Sequence, residues 1–554
     1  MVVLFVVFSF VPTFYELYNR NKLPEIRAFE LVHNFPTDYN FYLSRIRQGL
    51  EGRLTVVERY TSEPHRGSFI HVFYSLLGWI GKFSRVPVER VDAIYHAARL
   101  VFSIVLLWVT SEFVRKSFGG GGVWTLIAFL LALTASTWPK LLAFDNNGFV
   151  PLSLATFASW RFGGFMPWWS LMDSLQRITF IPHLLVGQAL IVFLITALWD
   201  EATMKKADNW LFLGLLAFIL GLVFPPGLLF IGVVAVVMIG MQLLLVGVRT
   251  ISQATTYIGP RGLVVAMGAP ALLYLSLMTS IYPWKRLVEF DIINPLPFDY
   301  GEYFLAVGYV LPFGLIGLII ALWNREKYLY PAVAWIIAWL ALLGIFNFVP
   351  AQSPLRFSEM LPHVPLGILT AYLFYSVWKR RVSLVISHLS FVIPTMFIIV
   401  GLGVMYSSWL WQRDFIDHKM RATYPLVPTG SYVLYPMRDF MDAIRFVGGS
   451  TPGDSVILSD TTAGNYIPAY SGRTVYVGHA NTVRAEEKVA IVRGFFSGVM
   501  SPEEARVFLT RERIGEIYYG PQEREIANIG DLRTPYPFLT QEYKNTFVTV
   551  YKIQ

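Results

Sequence analysis

The chain has 554 residues, 55% of them hydrophobic and only 15% charged, with a mean hydropathy of +0.51. A soluble domain carries about 25% charge, so this composition excludes an ordinary soluble protein. The absence of cysteine excludes disulfides, zinc–thiolate sites and thiol catalysis. The net charge of +8 does not point to nucleic acid, because in membrane proteins a Lys/Arg excess gathers in cytoplasmic loops.

The first apolar run, "MVVLFVVFSFVPTFY", has no basic leading segment and no small-residue cleavage site. It reads as an uncleaved first helix over 2–16 rather than a signal peptide. Next comes "HNFPTDYNFYLSRIRQGLEG" (33–52), an amphipathic helix opened by Asp38, in which Phe41, Leu43, Ile46 and Leu50 alternate with Arg45, Arg47 and Gln48. Asp38 reads as the N-cap of that helix or as a catalytic base. The roles are compatible, since a carboxylate beside apolar surface tends to a raised pKa that suits proton acceptance. "ERYTSEPHRG" (58–67) adds Glu63, His65 and Arg66; the histidine with nearby acids either holds a divalent metal or belongs to a hydrated loop. "GSFIHVFYSLLGWIG" (67–81) is apolar but short for a crossing.

Apolar runs of about 18 to 25 residues can cross the bilayer as helices. They follow at 91–114, 122–143, 182–198, 209–225, 227–247, 262–283, 303–323, 331–348, 361–378 and 386–411. If 67–81 does not cross, Arg115, Lys116, Lys205, Lys206, Arg249, Arg261, Arg325, Lys327, Lys379, Arg380 and Arg381 all fall on one side. The positive-inside rule makes that side the cytoplasm. The expectation is therefore a polytopic α-helical protein with eleven crossings and an internal N-terminus. Residues 17–90 become a long first extracytoplasmic loop with 67–81 at the interface; 144–181, 284–302 and 349–360 also lie outside. The same parity places the tail outside, dividing the chain into a transmembrane domain (1–411) and an extracytoplasmic domain (412–554).

In the tail, "GDSVILSD", "RTVYVGH", "IGEIYYG" and "TFVTVYKI" read as strands. "PMRDFMDAIRFVG" and "SPEEARVFLTRERI" read as helices, the second with Ser501 as N-cap, Pro502 at the first helical position and Glu504 closing a capping box. This pattern predicts a small α/β domain. No phosphate loop, dinucleotide fingerprint, nucleophile elbow or metal-spaced His/Cys cluster occurs. "FGGGG" (118–122) lacks the Lys-Ser/Thr of a phosphate loop and reads as a cytoplasmic hinge.

The remaining polar residues of interest fall on the outer side. They are Asp145 in "FDNNGFVP", Arg177 and His183 in "DSLQRITFIPH", Lys285 and Arg286 in "YPWKRLVEFD", and Arg356, Glu359 and His363 in "PAQSPLRFSEMLPHVP". Ionisable groups at helix ends face a cavity or a partner, although Lys285 and Arg286 also suit an interfacial snorkelling pair. One acid with several cations at membrane level fits transfer of a sugar from a lipid phosphate. The departing phosphate needs Arg or Lys rather than a general acid, and one carboxylate can deprotonate the incoming hydroxyl. Glycoside hydrolysis, by contrast, needs two carboxyl groups.

This layout resembles the GT-C superfamily of membrane glycosyltransferases, which includes protein O-mannosyltransferases, aminoarabinose transferases and uncharacterised bacterial and archaeal members. "TDYNFYLSRIRQGLEG" looks like their acid-led loop helix, "SPLRFSEMLPHVPLGIL" like their late helix-mouth segment, and "AGNYIPAYSGRTVYVGH" with "IYYGPQERE" like their tail domain. The resemblance implies a polyprenyl-phosphate-sugar donor and a glycan, lipid or protein acceptor outside the cytoplasmic membrane, with an inverting reaction. It makes Asp38 the base and gives the donor phosphate to Arg356, with His363, Arg286 and Lys285 as further candidates. Many members show paired acids where Tyr39 follows Asp38 here. That leaves Glu63 or Asp145 as a second acid, His65, Arg177 and His183 in support, and a divalent metal open. "PWWSLMD" departs from the Trp-Trp-Asp motif of oligosaccharyltransferases, because Asp173 stands four residues beyond Trp169. A flippase of lipid-linked intermediates and a non-catalytic envelope scaffold are the alternatives; the lack of an internal repeat disfavours the flippase.

Overall fold

The computed structural model describes all residues except 33–34, 120–121, 146–147, 155, 157–158, 248–249, 350–351, 381–382, 429–433, 451–454 and 554. Arg249, Arg381, two glycines of the 118–122 run and the side chain of Asp145 thus lie outside the described residues. The chain forms two compact units. One comprises Met1–Pro12, Arg99–Tyr274 and Asn294–Arg413; the other comprises Thr13–Ala98, Leu275–Ile293 and Asp414–Gln554. This division differs from a cut at residue 411, because the first loop clusters with the tail.

Among the described residues, six helices are long and apolar enough to cross a membrane: Val88–Ser117, Pro182–Trp199, Pro225–Leu245, Ser252–Met278, Lys327–Phe346 and Leu384–Arg421. Three bent pairs raise the number to nine if each is one span. They are Val2–Ser9 with Val11–Lys22 (44°), Tyr300–Val307 with Val310–Trp323 (80°), and Pro354–Met360 with His363–Lys379 (60°). Val123–Thr134 and Ala207–Val223 are apolar but shorter, so length and composition support six to nine spans among the described residues and do not confirm a count of eleven. The protein is a multi-pass membrane protein.

The helix expected over 122–143 stops at Thr134. Pro139 lies in the remaining stretch and cannot extend a helical ladder. The chain instead enters a strand, Lys140–Asp145, paired antiparallel with Trp160–Gly163. Trp335, Trp339, Tyr303 and Tyr330 are among the largest fully buried side chains of this first unit.

In the second unit the loop helix Pro36–Leu50 packs on Val72–Phe83, the helix formed from the short apolar run. Their backbones touch through glycine: a Cβ on Gly49 would fall 2.0 Å from the Ser75 carbonyl oxygen, and one on Gly78 2.0 Å from that of Ile46. The tail carries a five-stranded sheet with the spatial order Thr474–Val475, Val456–Leu458, Ile514–Tyr519, Thr549–Ile553, Leu539–Lys544. The first three strands are parallel and the last two join antiparallel. All four expected strands are present and Leu539–Lys544 is additional, as are the helices Thr461–Tyr470 and Ala485–Phe496. The Pro502–Arg511 helix has the expected capping box between Ser501 and Glu504.

Candidate functional site

The loop helix begins two residues before Asp38. Phe35 is its N-cap, without a side-chain cap, and Pro36 holds the first helical position. Asp38 therefore sits in the first turn and is not the N-cap expected of it. A carboxylate there is favoured by the positive end of the helix. Its side chain is 45% exposed, and its Oδ1 lies 3.5 Å from Nε2 of His479.

His479 is a residue that sequence reasoning missed as a site group. Its side chain is 6% exposed, and its ring stacks on Phe41, centroid to centroid 4.6 Å, one turn along the helix from Asp38. Its Nδ1 accepts a hydrogen bond from the Asn481 backbone N–H (3.2 Å). A neutral imidazole with Nδ1 as acceptor carries its proton on Nε2, the nitrogen facing Asp38.

The loop bearing His479 is anchored from several sides. The Thr482 hydroxyl donates to the Tyr60 carbonyl at 2.6 Å. Buried Arg286 donates from Nε to the Ala480 carbonyl (3.0 Å) and through its guanidinium to Glu486 (2.7 Å). Arg286 is thus engaged within the protein, and Lys285, half exposed, pairs with Glu289 at 3.2 Å. Neither is presented as the open phosphate ligand the sequence suggested.

Around Asp38 the helix is buried on its polar face too, because loop and tail segments of the unit cover it. Asn40 donates to Asn465 (2.8 Å), whose own amide donates to the Thr37 carbonyl (3.2 Å). Arg45, fully buried, pairs with Glu58 at 2.5 Å, and Gln48 bonds both the N–H and the carbonyl of Val57. Tyr39, standing where a second acid was considered, is buried, with its hydroxyl 3.2 Å from His96 Nε2.

Glu63 lies against buried Lys488 at 2.8 Å. His65 has both ring nitrogens on backbone, Nε2 accepting from Glu58 N–H (2.7 Å) and Nδ1 beside the Glu63 carbonyl (2.8 Å). These two residues therefore do not fit a metal, and no group of three or more His, Asp or Glu that could hold one occurs among the described residues.

The candidates in the first unit divide by exposure. Arg356 sits in the short helix Pro354–Met360; its side chain is 32% exposed, 3.9 Å from buried Glu359. That helix is tied down by Trp169 donating to Ser358 (2.7 Å), Gln188 to the Glu359 carbonyl (2.8 Å) and Trp335 to the Met360 carbonyl (2.8 Å). His363 is buried at the start of the next helix. Buried Arg177 donates to the carbonyls of Leu171 and Ala135. Asp173 caps its own short helix by accepting from Leu175 N–H (2.9 Å). His183 is half-buried in the first turn of Pro182–Trp199.

No protein-family profile matches the chain, and no curated protein matches it. Solved structures do. The oligosaccharyltransferase of Archaeoglobus fulgidus in its apo form matches with a TM-score of 0.52 and 12% identity, over 99% of this chain and 74% of that one. The same enzyme tethered to an acceptor peptide containing the NVT sequon matches at 0.50 and 12%, over 97% and 73%. ArnT from Cupriavidus metallidurans bound to undecaprenyl phosphate matches at 0.50 and 11%, over 99% and 97%. At this low identity the likeness is one of architecture: the chain shares its fold with the archaeal oligosaccharyltransferase and with ArnT.

Proposed function

We propose that the protein is a membrane glycosyltransferase that moves a sugar from a polyprenyl-phosphate donor to a hydroxyl-bearing glycan, lipid or protein outside the cytoplasmic membrane, with Asp38 as the general base. The observation that carries this reading is Asp38 itself: a half-exposed carboxylate in the first turn of a helix, with a buried imidazole against it. In the proposed step the acceptor oxygen attacks the anomeric carbon as its proton passes to Asp38. The bond from that carbon to the phosphate oxygen breaks, and its electron pair leaves with the phosphate. A single displacement inverts the anomeric centre. No acid is needed for the leaving group, so a single exposed carboxylate can serve the step.

Arg356 is the candidate for the donor phosphate, since a guanidinium matches phosphate oxygens in a bidentate fork and this one is partly open. The donor tail suits an apolar cavity of about 280 Å³ between Pro225–Met241 and Ile251–Met278, lined by Leu228, Leu229, Val233, Val236, Val265 and Leu272. Fold neighbours solved with undecaprenyl phosphate and with an acceptor peptide support the substrate classes. An extracytoplasmic site and tail follow if the chain crosses eleven times, the arrangement in which the Lys and Arg clusters share one side.

The test is transfer by the purified chain in proteoliposomes from a panel of radiolabelled dolichyl- and undecaprenyl-phosphate hexoses. Asp38→Asn is expected to lower turnover by about 10²- to 10⁴-fold with donor binding retained, and Arg356→Gln to weaken donor binding. Undiminished turnover in Asp38→Asn would remove the base assignment. Donor movement between leaflets without any transfer would establish a flippase instead.

A further inference from the structure

We infer that His479, contributed by the tail, is the positioning residue of Asp38: an imidazole in its Nε2–H form that holds the carboxylate in one orientation. The inference rests on the transferase reading for its catalytic consequence but on geometry for the coupling itself. Five observations carry it.

The ring cannot turn freely, because it stacks on Phe41 at 4.6 Å with 21° between planes and also meets the Tyr60 ring at 5.4 Å. Its tautomer is set from behind by the Asn481 N–H on Nδ1. Its remaining nitrogen faces Asp38 Oδ1 at 3.5 Å, a contact that has to shorten by about half an ångström to become a strong hydrogen bond. Catalytic hydrogen bonds commonly tighten in this way when substrate binds.

The loop itself is built to hold that ring. Gly478 lies against the backbone of Gly464, Ala480 is held by Arg286, and the Thr482 hydroxyl is tied to Tyr60. Burial assigns the roles. The imidazole is 6% exposed and the carboxylate 45%, so the acid is the partner a substrate can reach, and the histidine acts through it. This inverts the order of a Ser-His-Asp triad, in which the acid orients the histidine.

The charged and titratable groups facing His479 are Asp38 from the loop helix, Tyr60 from the following segment, and the Arg286–Glu486 pair, which reaches it through the Ala480 carbonyl. Of these only Asp38 is within ion-pair reach of its ring nitrogens.

The experiment has two arms. In the first, the full chain in lipid bilayers is labelled at histidine nitrogens and studied by solid-state NMR, with His479→Gln identifying the signals of His479 among the nine histidines. The expected result is a protonated Nε2 and an unprotonated Nδ1 at neutral pH. Asp38→Asn is expected to move the Nε2 resonance of His479, because the carboxylate that faces this nitrogen at 3.5 Å is replaced. An Nδ1–H tautomer, or an Nε2 resonance unmoved by Asp38→Asn, would overturn the inference whatever the protein catalyses.

The second arm is sugar transfer. His479→Phe keeps the stack on Phe41 but has no N–H, and is expected to lower kcat at least tenfold with donor KM unchanged. His479→Gln, which returns an N–H donor near the Nε2 position, is expected to recover part of that loss. Full activity in His479→Phe would overturn the positioning role. If the wild-type chain transfers no sugar while the first arm succeeds, the transferase reading fails and the coupling stands.

Discussion

Gly464 and Gly478 meet backbone to backbone: a Cβ on Gly464 would lie 2.0 Å from the Val477 carbonyl oxygen, and one on Gly478 would lie 2.2 Å from the carbonyl oxygen of Gly464. Neither neighbour is a flexible side chain, so no cheap shift can relieve the clash. Gly478→Ala is expected to cost about 1–3 kcal/mol, the usual range for overpacking a close contact, and to disturb the loop that carries His479. Gly449→Ala is the control, because nothing lies within 4 Å of a Cβ there. Unfolding followed by tryptophan fluorescence should separate the two; equal stability would mean that the backbones do not meet.

Glu30 gives the second unit a pH dependence. Its buried carboxyl accepts from Tyr466 (3.0 Å) and from Tyr470, and burial pushes its pKa up to about 7 against those stabilising bonds. The folded state thus holds the proton more tightly than the unfolded chain, where the ordinary value is near 4.5. Stability from this group is complete below the unfolded value and is lost as pH rises through the window from about 4.5 to about 7. Glu523, buried and also raised to about 7, acts with the same sign. Unfolding midpoints at pH 5 and pH 7.5 should therefore differ in favour of the acid side, each group contributing roughly 3 kcal/mol at most. Glu30→Gln is expected to remove its share and flatten the profile; an unchanged pH slope in that variant would show that Glu30 does not titrate in this range.

The pair of Glu63 and Lys488 separates a structural acid from a catalytic one. Lys488 is 2% exposed and its ammonium lies 2.8 Å from Glu63, so removing the acid leaves a charge stranded in the interior. Glu63→Gln is expected to destabilise the fold by about 2–4 kcal/mol, while the folded fraction keeps its rate of sugar transfer. A folded Glu63→Gln protein that has lost transfer would restore Glu63 as a second catalytic acid.

What the sequence made legible was periodicity and ends. Apolar runs located the helical segments, and the Ser501–Glu504 capping box is a local signal that the structure reproduces. The loop helix was legible as a helix but not in its burial. Arg45 and Gln48 look like a solvated face, yet both are fully buried because Glu58 and the Val57 backbone satisfy them. Asp38 stood out as an acid among aromatics. His479 did not, since its significance comes from a contact with a residue near the other end of the chain, which no local pattern encodes. The only trace was the small-residue "YVGHAN" run, where Gly478 permits the close approach. The same limit applied to Arg286: "YPWKRLVEFD" shows two cations beside aromatic rings and cannot show that one is turned inward to a carbonyl.

Arg286 is accordingly expected to behave as a brace rather than a phosphate ligand. Its side chain is 7% exposed and bridges the Ala480 carbonyl and the Glu486 carboxylate, two acceptors that a guanidinium fork spans and an ammonium does not. Arg286→Lys keeps the charge but leaves Ala480 without its donor, at a cost of about 1–3 kcal/mol for the stranded carbonyl. Hydrogen exchange of residues 477–486 in the unliganded protein should rise in Arg286→Lys, because the anchor of the His479 loop is gone before any substrate binds. A phosphate ligand predicts the opposite pair of results: unchanged exchange in that loop and weakened donor binding. Since exchange is read without donor, the two roles can be told apart before the sugar is known, and the same measurement shows whether the loop that presents His479 to Asp38 depends on this one buried cation.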